Sequence, residues 1–439
     1  MGRRFCLKLL SFVYALSFTL GSWATVDRDQ VDSWIDQNPL LDPPAAGSTF
    51  TSKNIESLQP WLPPGFIDEL DFPELSIKIQ DYAFQANHPT YTEATEKFSG
   101  QVSLGQDGRL ENYTAGQPFS LETIKGNNPK NAGYMIAWNN IHRWQYFGYK
   151  VEDLTMAYIG SESGPAPLSS EEGLTGGGKL DRLLNQSYHR VYLNNLAMLP
   201  DQNYKVDIKD SKTRFFKDYI EFFSPFNVKG TKFVVERMND PTADDQVNTY
   251  LPTERRVRRF SAKERADSFM GSEATLDDFE GFSGRVLDYN WKLLGEKKIL
   301  SVADTIQPKL TVYGPHSRVP DDEWQIRNCF VVEVTSDWEG HPYKSRILFI
   351  DKETFSVHFS LIFGQDNTLW KTMQTVHRAP SKNETDIELS VPSWRGQINI
   401  DRYANTATIV RGRSETIHPS MQPRTIKRIF NVSSLTEGQ

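Results

Sequence analysis

The chain has little cysteine, no long apolar run and no excess of basic charge. Its two cysteines are Cys6 and Cys329. Loss of an N-terminal leader would leave Cys329 alone, which rules out an internal disulfide. The net charge of −7 argues against a nucleic-acid binder, whose surface is usually basic. Neither HExxH nor CxxC occurs, and the eight histidines show no metal-ligand spacing. Gly160-Ser161-Glu162-Ser163-Gly164 has the glycine frame of a nucleophile elbow but Glu162 at its centre. Gly173-Leu174-Thr175-Gly176-Gly177-Gly178-Lys179 nearly matches a phosphate-binding loop. Leu180 stands where a magnesium-holding hydroxyl is needed, and no apolar strand precedes it, so a surface loop is the better reading.

Aromatic residues are plentiful, with 26 Phe, 17 Tyr and 10 Trp in 439 residues. A packed β core, a greasy cavity or a stacking surface would each use them. At the N-terminus, Arg3, Arg4 and Lys8 precede an apolar stretch over 9–20, too short to span a bilayer comfortably. Ser22-Trp23-Ala24 supplies small residues where a signal peptidase reads. A cleaved signal peptide over 1–24 is expected, and Cys6 lies before the apolar stretch, so there is no lipobox.

The stretch over 214–294 organises the rest. Residues 215–223 and 232–238 are aromatic and β-branched, with Lys229-Gly230 as turn material between them. Asp240-Pro241 and Pro252-Thr253-Glu254 break the chain around 247–251 and 255–260. An antiparallel meander is expected, closed by the acidic segment of Asp277, Asp278 and Glu280. Arg255, Val257 and Arg259 share one face of their strand, and Arg256, Arg258 and Phe260 share the other. The acidic residues are close enough in sequence to pair with these arginines. Read as paired carboxylates, Asp277 and Asp278 would instead suit acid–base work.

This stretch resembles the DUF1329 family, within the LolA/LolB-like superfamily of outer-membrane lipoprotein-sorting proteins. The resemblance rests on the tyrosine-leucine-proline turn, the arginine-rich strand, Phe269-Met270-Gly271-Ser272, and Asp277-Asp278 beyond it. Four further stretches match in order: Asp107-Gly108 leading into Ala115-Gly116-Gln117-Pro118-Phe119, Ala137-Trp138-Asn139-Asn140 with Arg143-Trp144, residues 348–354, and Leu369-Trp370-Lys371. They span most of 91–377. The resemblance implies a mainly β (α+β) fold. Its core would be a large, strongly curved antiparallel sheet, an unclosed barrel, with a few covering helices. It also implies a periplasmic carrier of an apolar or lipid-like ligand, with an RND-type transporter or an outer-membrane protein as partner.

Four regions are expected: the signal peptide (1–24), a proline-rich extension (25–87), the curved-sheet domain (88–425) and a tail (426–439). The extension either wraps the body or acts as a lid, with a short helix over 54–62. Residues 132–147 suit a strand or a short helix. Cys329 reads as a buried strand residue. The candidate ligand-binding residues are Arg256, Arg258, Phe260, Phe269, Met270, Trp291 and Trp138; no catalytic residue, metal or cofactor is expected. The arginine strand and the 269–272 segment are expected to meet at the mouth of a cavity. Two rivals to the carrier stay open. One is an adaptor with a filled core; the other is a polysaccharide-active enzyme with a carboxylate pair.

Overall fold

The computed structural model describes residues 25–37, 42–82, 85, 87–145, 147–162, 173–336, 338–379, 392–413, 415–417 and 421–436. The signal peptide expected over 1–24 lies outside them. Strands β1 (Thr49–Phe50) and β2 (Ile77–Ile79) belong to the N-terminal extension, and β3 (Ser103–Leu104) and β4 (Leu110–Glu111) form a separate hairpin. The first meander is β5 (Gly148–Ile159), β6 (Leu180–Tyr192), β7 (Arg214–Ser224), β8 (Lys232–Met238), β9 (Gln246–Leu251) and β10 (Arg256–Phe260). Next come β11 (Tyr289–Ser301) and the short pair β12 (Val312–Tyr313) and β13 (Val319–Pro320). The second meander is β14 (Glu323–Ser336), β15 (Ser345–Asp351), β16 (Val357–Phe363), β17 (Leu369–Arg378), β18 (Ser393–Asp401) and β19 (Thr406–Arg411); β20 (Glu415–Ile417) pairs with β5. The α-helices are α1 (Arg28–Asp36), α2 (Pro89–Phe98), α3 (Leu121–Lys125), α4 (Pro129–Ile141) and α5 (Pro423–Ile429).

The two meanders join antiparallel through β19 and β5 into one 16-stranded sheet. Its order runs from β1 and β2 through β14 to β19 and on through β5 to β10, with β11 pairing with β14 beside that path. Among the described residues, no pairing joins β10 to β11, so the barrel is unclosed. Those two edges are consecutive in sequence. Residues 261–288 link them, and this link crosses the inner face of the sheet.

Side chains alternate between the two faces. Ile347, Phe349, Phe359 and Leu361 point outward and pack with Trp34, Leu58, Trp61 and Phe66 of the extension. Phe330, Val332, Leu348 and Ile350 point inward and pack with Ile136 and Trp138 of α4 and with Phe282 and Trp291. Every residue of β15 and β16 is therefore buried, which explains their nearly continuous apolar sequence. Among the described residues, the extension wraps the outer face and does not cover the concavity.

Of the stretch over 132–147, residues 132–141 lie in the helix Pro129–Ile141, because Asn128 caps its N-terminus and Pro129 takes the first turn, where it lacks no needed donor. All residues from Ala132 to Asn140 are buried, as in a helix enclosed on all sides. Gly133 permits this, since a Cβ there would lie 2.6 Å from the Lys292 backbone nitrogen. The short helix expected over 54–62 is a 3-10 helix, Ile55–Trp61. Cys329 is fully buried in β14, and burial pushes its thiol well above its ordinary pKa.

Candidate functional site

The link from β10 to β11 fills much of the concavity, and charge holds it there. Thr275 and Asp278 form a capping box that opens a short 3-10 helix, Leu276–Gly281. Asp278 accepts from Arg346 Nη1 (2.9 Å) and from the Tyr343 hydroxyl (2.9 Å). Asp277 accepts from Arg265 Nε (2.8 Å) and from the Tyr289 hydroxyl (2.7 Å). Glu280 meets Arg143 and the Tyr149 hydroxyl. All three carboxylates are buried. Burial alone would raise the pKa of Asp277, but Arg265, Tyr289, Arg346 and Arg237 outweigh it and hold the carboxyl below its usual range. Burial depresses Arg346, yet Asp278 and the tyrosines keep its pKa above the ordinary value.

Gly281 brings the link onto the sheet. Its φ is +91°, and a Cβ there would lie 2.3 Å from Val357 Cβ in β16. Only glycine fits both the backbone angle and the gap. Phe279 then reaches across to Tyr188 and Trp394, at ring separations of 4.8 and 5.5 Å.

Between this link and β5 to β8 lies a cavity of about 70 Å³. Leu154, Met156, Ile220, Phe269, Phe279 and Val410 give it an apolar wall. Arg190 and Asp218 also line it, but they neutralise each other through paired bonds of 2.7 and 2.8 Å. Three more groups in the wall lack partners: Gln186 Oε1, the Tyr188 hydroxyl and Gln397 Oε1 are buried without a hydrogen bond. These three groups give the otherwise apolar cavity a polar side.

A second, wider cleft of about 450 Å³ lies between the β3–β4 hairpin and the loops around 194–205 and 237–243. Asn112, Asn194, Asn195, Asn203 and Asn239 line it, with Trp138 and Phe215.

The structure divides the seven sequence-derived candidates. Phe269 lines the apolar cavity and packs on Phe222 and Phe233 at 6.2 and 5.6 Å. Phe260 packs on the same Phe233 at 6.3 Å, so the end of the arginine strand and the 269–272 segment do meet. The Met270 carbonyl accepts from the Tyr158 hydroxyl and from Arg182. Arg256 and Arg258 are exposed, share Glu254 as partner, and do not line the cavity. Trp138, in α4, and Trp291 lie in the core between α4 and the sheet, with indole N–H groups donating to Gly108 and Val286 carbonyls, both at 2.8 Å, and Trp138 also borders the wider cleft.

Two sequence expectations need correction. Asp277, Asp278 and Glu280 do not pair with the arginine strand. That strand is the far edge of the sheet, and their partners Arg265, Arg346 and Arg143 come from elsewhere in the chain. The glycine-rich stretch over 173–179 is not a loose surface loop. Thr175 and Gly177 donate their amides to the carbonyls of Val312 and Gly314, so those amides cannot cradle a phosphate. Sequence reasoning also missed Gln186, Tyr188, Arg190, Asp218 and Gln397. Gln186, Tyr188 and Arg190 alternate along β6, the one local signal, but Asp218 is 28 residues from its partner Arg190 and Gln397 comes from β18.

Residues 49–436 match the profile of DUF1329, a family described as proteins of unknown function. The chain belongs to the DUF1329 family. It is 23% identical over 366 residues to an uncharacterized protein of Pseudomonas aeruginosa, covering 77% of this chain and 72% of that one. Among solved structures it is similar to a DUF1329 family protein from Desulfovibrio piger, at 18% identity and a TM-score of 0.46, covering 70% of this chain and 100% of that one. A domain from Vibrio parahaemolyticus named for outer-membrane lipoprotein sorting is similar at 15% identity and a TM-score of 0.45, covering 69% and 97%.

Proposed function

We propose that this protein is a periplasmic, non-enzymatic carrier that binds an apolar or lipid-like molecule against the inner face of its sheet. The observation that carries the reading is the apolar cavity with three unpartnered polar groups. Its apolar wall suits a hydrocarbon chain, and Gln186, Tyr188 and Gln397 suit a neutral hydroxyl or amide. A cavity of about 70 Å³ is well short of the several hundred Å³ typical of ligand sites. Residues 261–283 must therefore shift to admit cargo, which makes the link a gate. An RND-type transporter or an outer-membrane protein would receive or supply the cargo.

The filled concavity favours one rival, an adaptor that works through protein contacts alone. The enzyme reading loses its carboxylate pair, because Asp277 and Asp278 are both committed to arginine and tyrosine. Native mass spectrometry of protein purified without detergent tests the proposal. A retained neutral amphiphile is expected, and Gln186→Leu with Gln397→Leu should change which species is retained. Bare protein that also fails to bind an apolar fluorescent probe would leave the adaptor.

A further inference from the structure

The tip of the β7–β8 hairpin presents an unusual surface. Phe226 is 94% exposed, the most exposed large apolar side chain among the described residues, and Phe223 beside it is 45% exposed. The neighbouring β9–β10 turn lies against this tip. Lys232 pairs in register with Tyr250, and a Cβ on Gly230 would lie 3.3 Å from Pro252. Around these two turns stand Lys229, Arg255, Arg256, Arg258 and Arg259 with Glu254 between them, while Lys232 is partly buried and pairs with Glu221. Lys229, Arg255 and Arg259 are exposed and form no ion pair among the described residues. This dense positive patch stands on a chain whose net charge is −7.

Each feature alone has an ordinary explanation. Arginines on an edge strand block pairing with other chains, and a single exposed apolar residue is common. Their coincidence at one protruding tip is not covered by either. Two aromatic rings flanked by guanidinium groups match the boundary of an anionic bilayer: rings enter the acyl–headgroup region while arginines bind phosphates.

We infer that the β7–β8 tip and the arginine strand form a docking surface for an anionic phospholipid membrane. The inference does not depend on the carrier reading. It does place Phe222 and Phe233, on the inner face of the same hairpin, and Phe269 beyond them on the membrane side of the molecule.

Co-sedimentation with large unilamellar vesicles tests it. The full protein should bind vesicles containing phosphatidylglycerol and should not bind pure phosphatidylcholine vesicles. Phe226→Ala should lower partitioning roughly ten-fold or more, as expected for losing a buried Phe side chain. Arg255→Gln with Arg259→Gln should lower it by about five-fold per charge, and added salt should do the same. These side chains are exposed, so thermal melts should match the unmodified protein. No binding to anionic vesicles at low salt would overturn the inference. So would binding that Phe226→Ala and the arginine changes leave intact. If binding is equal on neutral and anionic vesicles, the charge half of the inference is wrong and it is overturned in that form.

Discussion

One sheet carries two coverings of opposite chemistry. The outer wrap, over the described residues of 25–80, is joined to the sheet mainly by apolar contacts: Val31, Trp34, Leu58, Trp61, Phe66 and Leu70 share one continuous core with Phe349, Phe359 and Leu361, with a few ion pairs such as Arg402–Asp68 at its side. The inner link, over 261–288, is pinned by buried carboxylates, arginines and tyrosines, with a cavity beneath it. An apolar seam gains from every Å² buried and has no alternative partner. A buried ion-pair clamp adds little net stability but fixes geometry strongly, and it can exchange partners when the segment moves. The first covering is built to stay; in the proposed carrier, the second would hold one position until cargo replaces it.

This contrast predicts where mutations act. Phe359→Ala opens a hole where wrap and sheet meet and should cost about 3–5 kcal/mol of global stability in urea melts. A loss below about 1 kcal/mol would mean that the wrap is only loosely packed.

The two coverings should also respond to pH with opposite sign. In the wrap, burial raises the pKa of Glu69 to about 7, although Arg318 and Arg402 oppose it. The native state then keeps a proton that the unfolded chain sheds. Stability from Glu69 is full below its ordinary value of 4.5 and declines as pH rises towards 7. The gap between Glu69→Gln and the unmodified protein should widen across that interval, by on the order of 3 kcal/mol. A constant gap would remove Glu69 from the account. In the link, Asp277 is held below its ordinary 3.8, so its contribution is present above that pH and is lost only as pH falls further.

Gly281→Ala attacks the link alone. Forcing an alanine into a positive φ costs about 1–3 kcal/mol before the clash with Val357 is added. Hydrogen exchange should quicken over 262–288 and stay unchanged in β15 and β16. Uniform acceleration would show that the link and the doubly covered strands unfold as one unit. The smallest effect belongs to the exposed rim. Arg256→Ala with Arg258→Ala should shift stability by no more than about 0.5 kcal/mol, and a collapsed melting point would make those arginines structural.

The outer half of the fold was legible in the sequence, and the site was legible only in part. The strands β7 to β10 stand within a residue or two of their expected limits, because turn residues punctuate short apolar runs there. Strands β5, β6 and β11 escaped notice. Their sequences mix charges into the alternation, as in Lys150, Asp153, Arg182 and Arg190, and the charges find partners only after folding. Phe269 was accessible because it sits near the arginine strand in sequence. The orphaned Gln186 and Gln397 were not, since an unpaired group is defined by what surrounds it in space. For the same reason the acidic run at 277–280 suggested the arginine strand, whereas its partners lie at 143, 265 and 346.

In the proposed carrier, residues 261–283 yield to cargo while the wrapped strands do not. Hydrogen exchange with and without saturating N-phenyl-1-naphthylamine, a neutral apolar probe, tests this most directly. The account predicts bound probe, with exchange changing over 262–283 and holding constant through β15 and β16. Bound probe with the link equally protected in both states would contradict it.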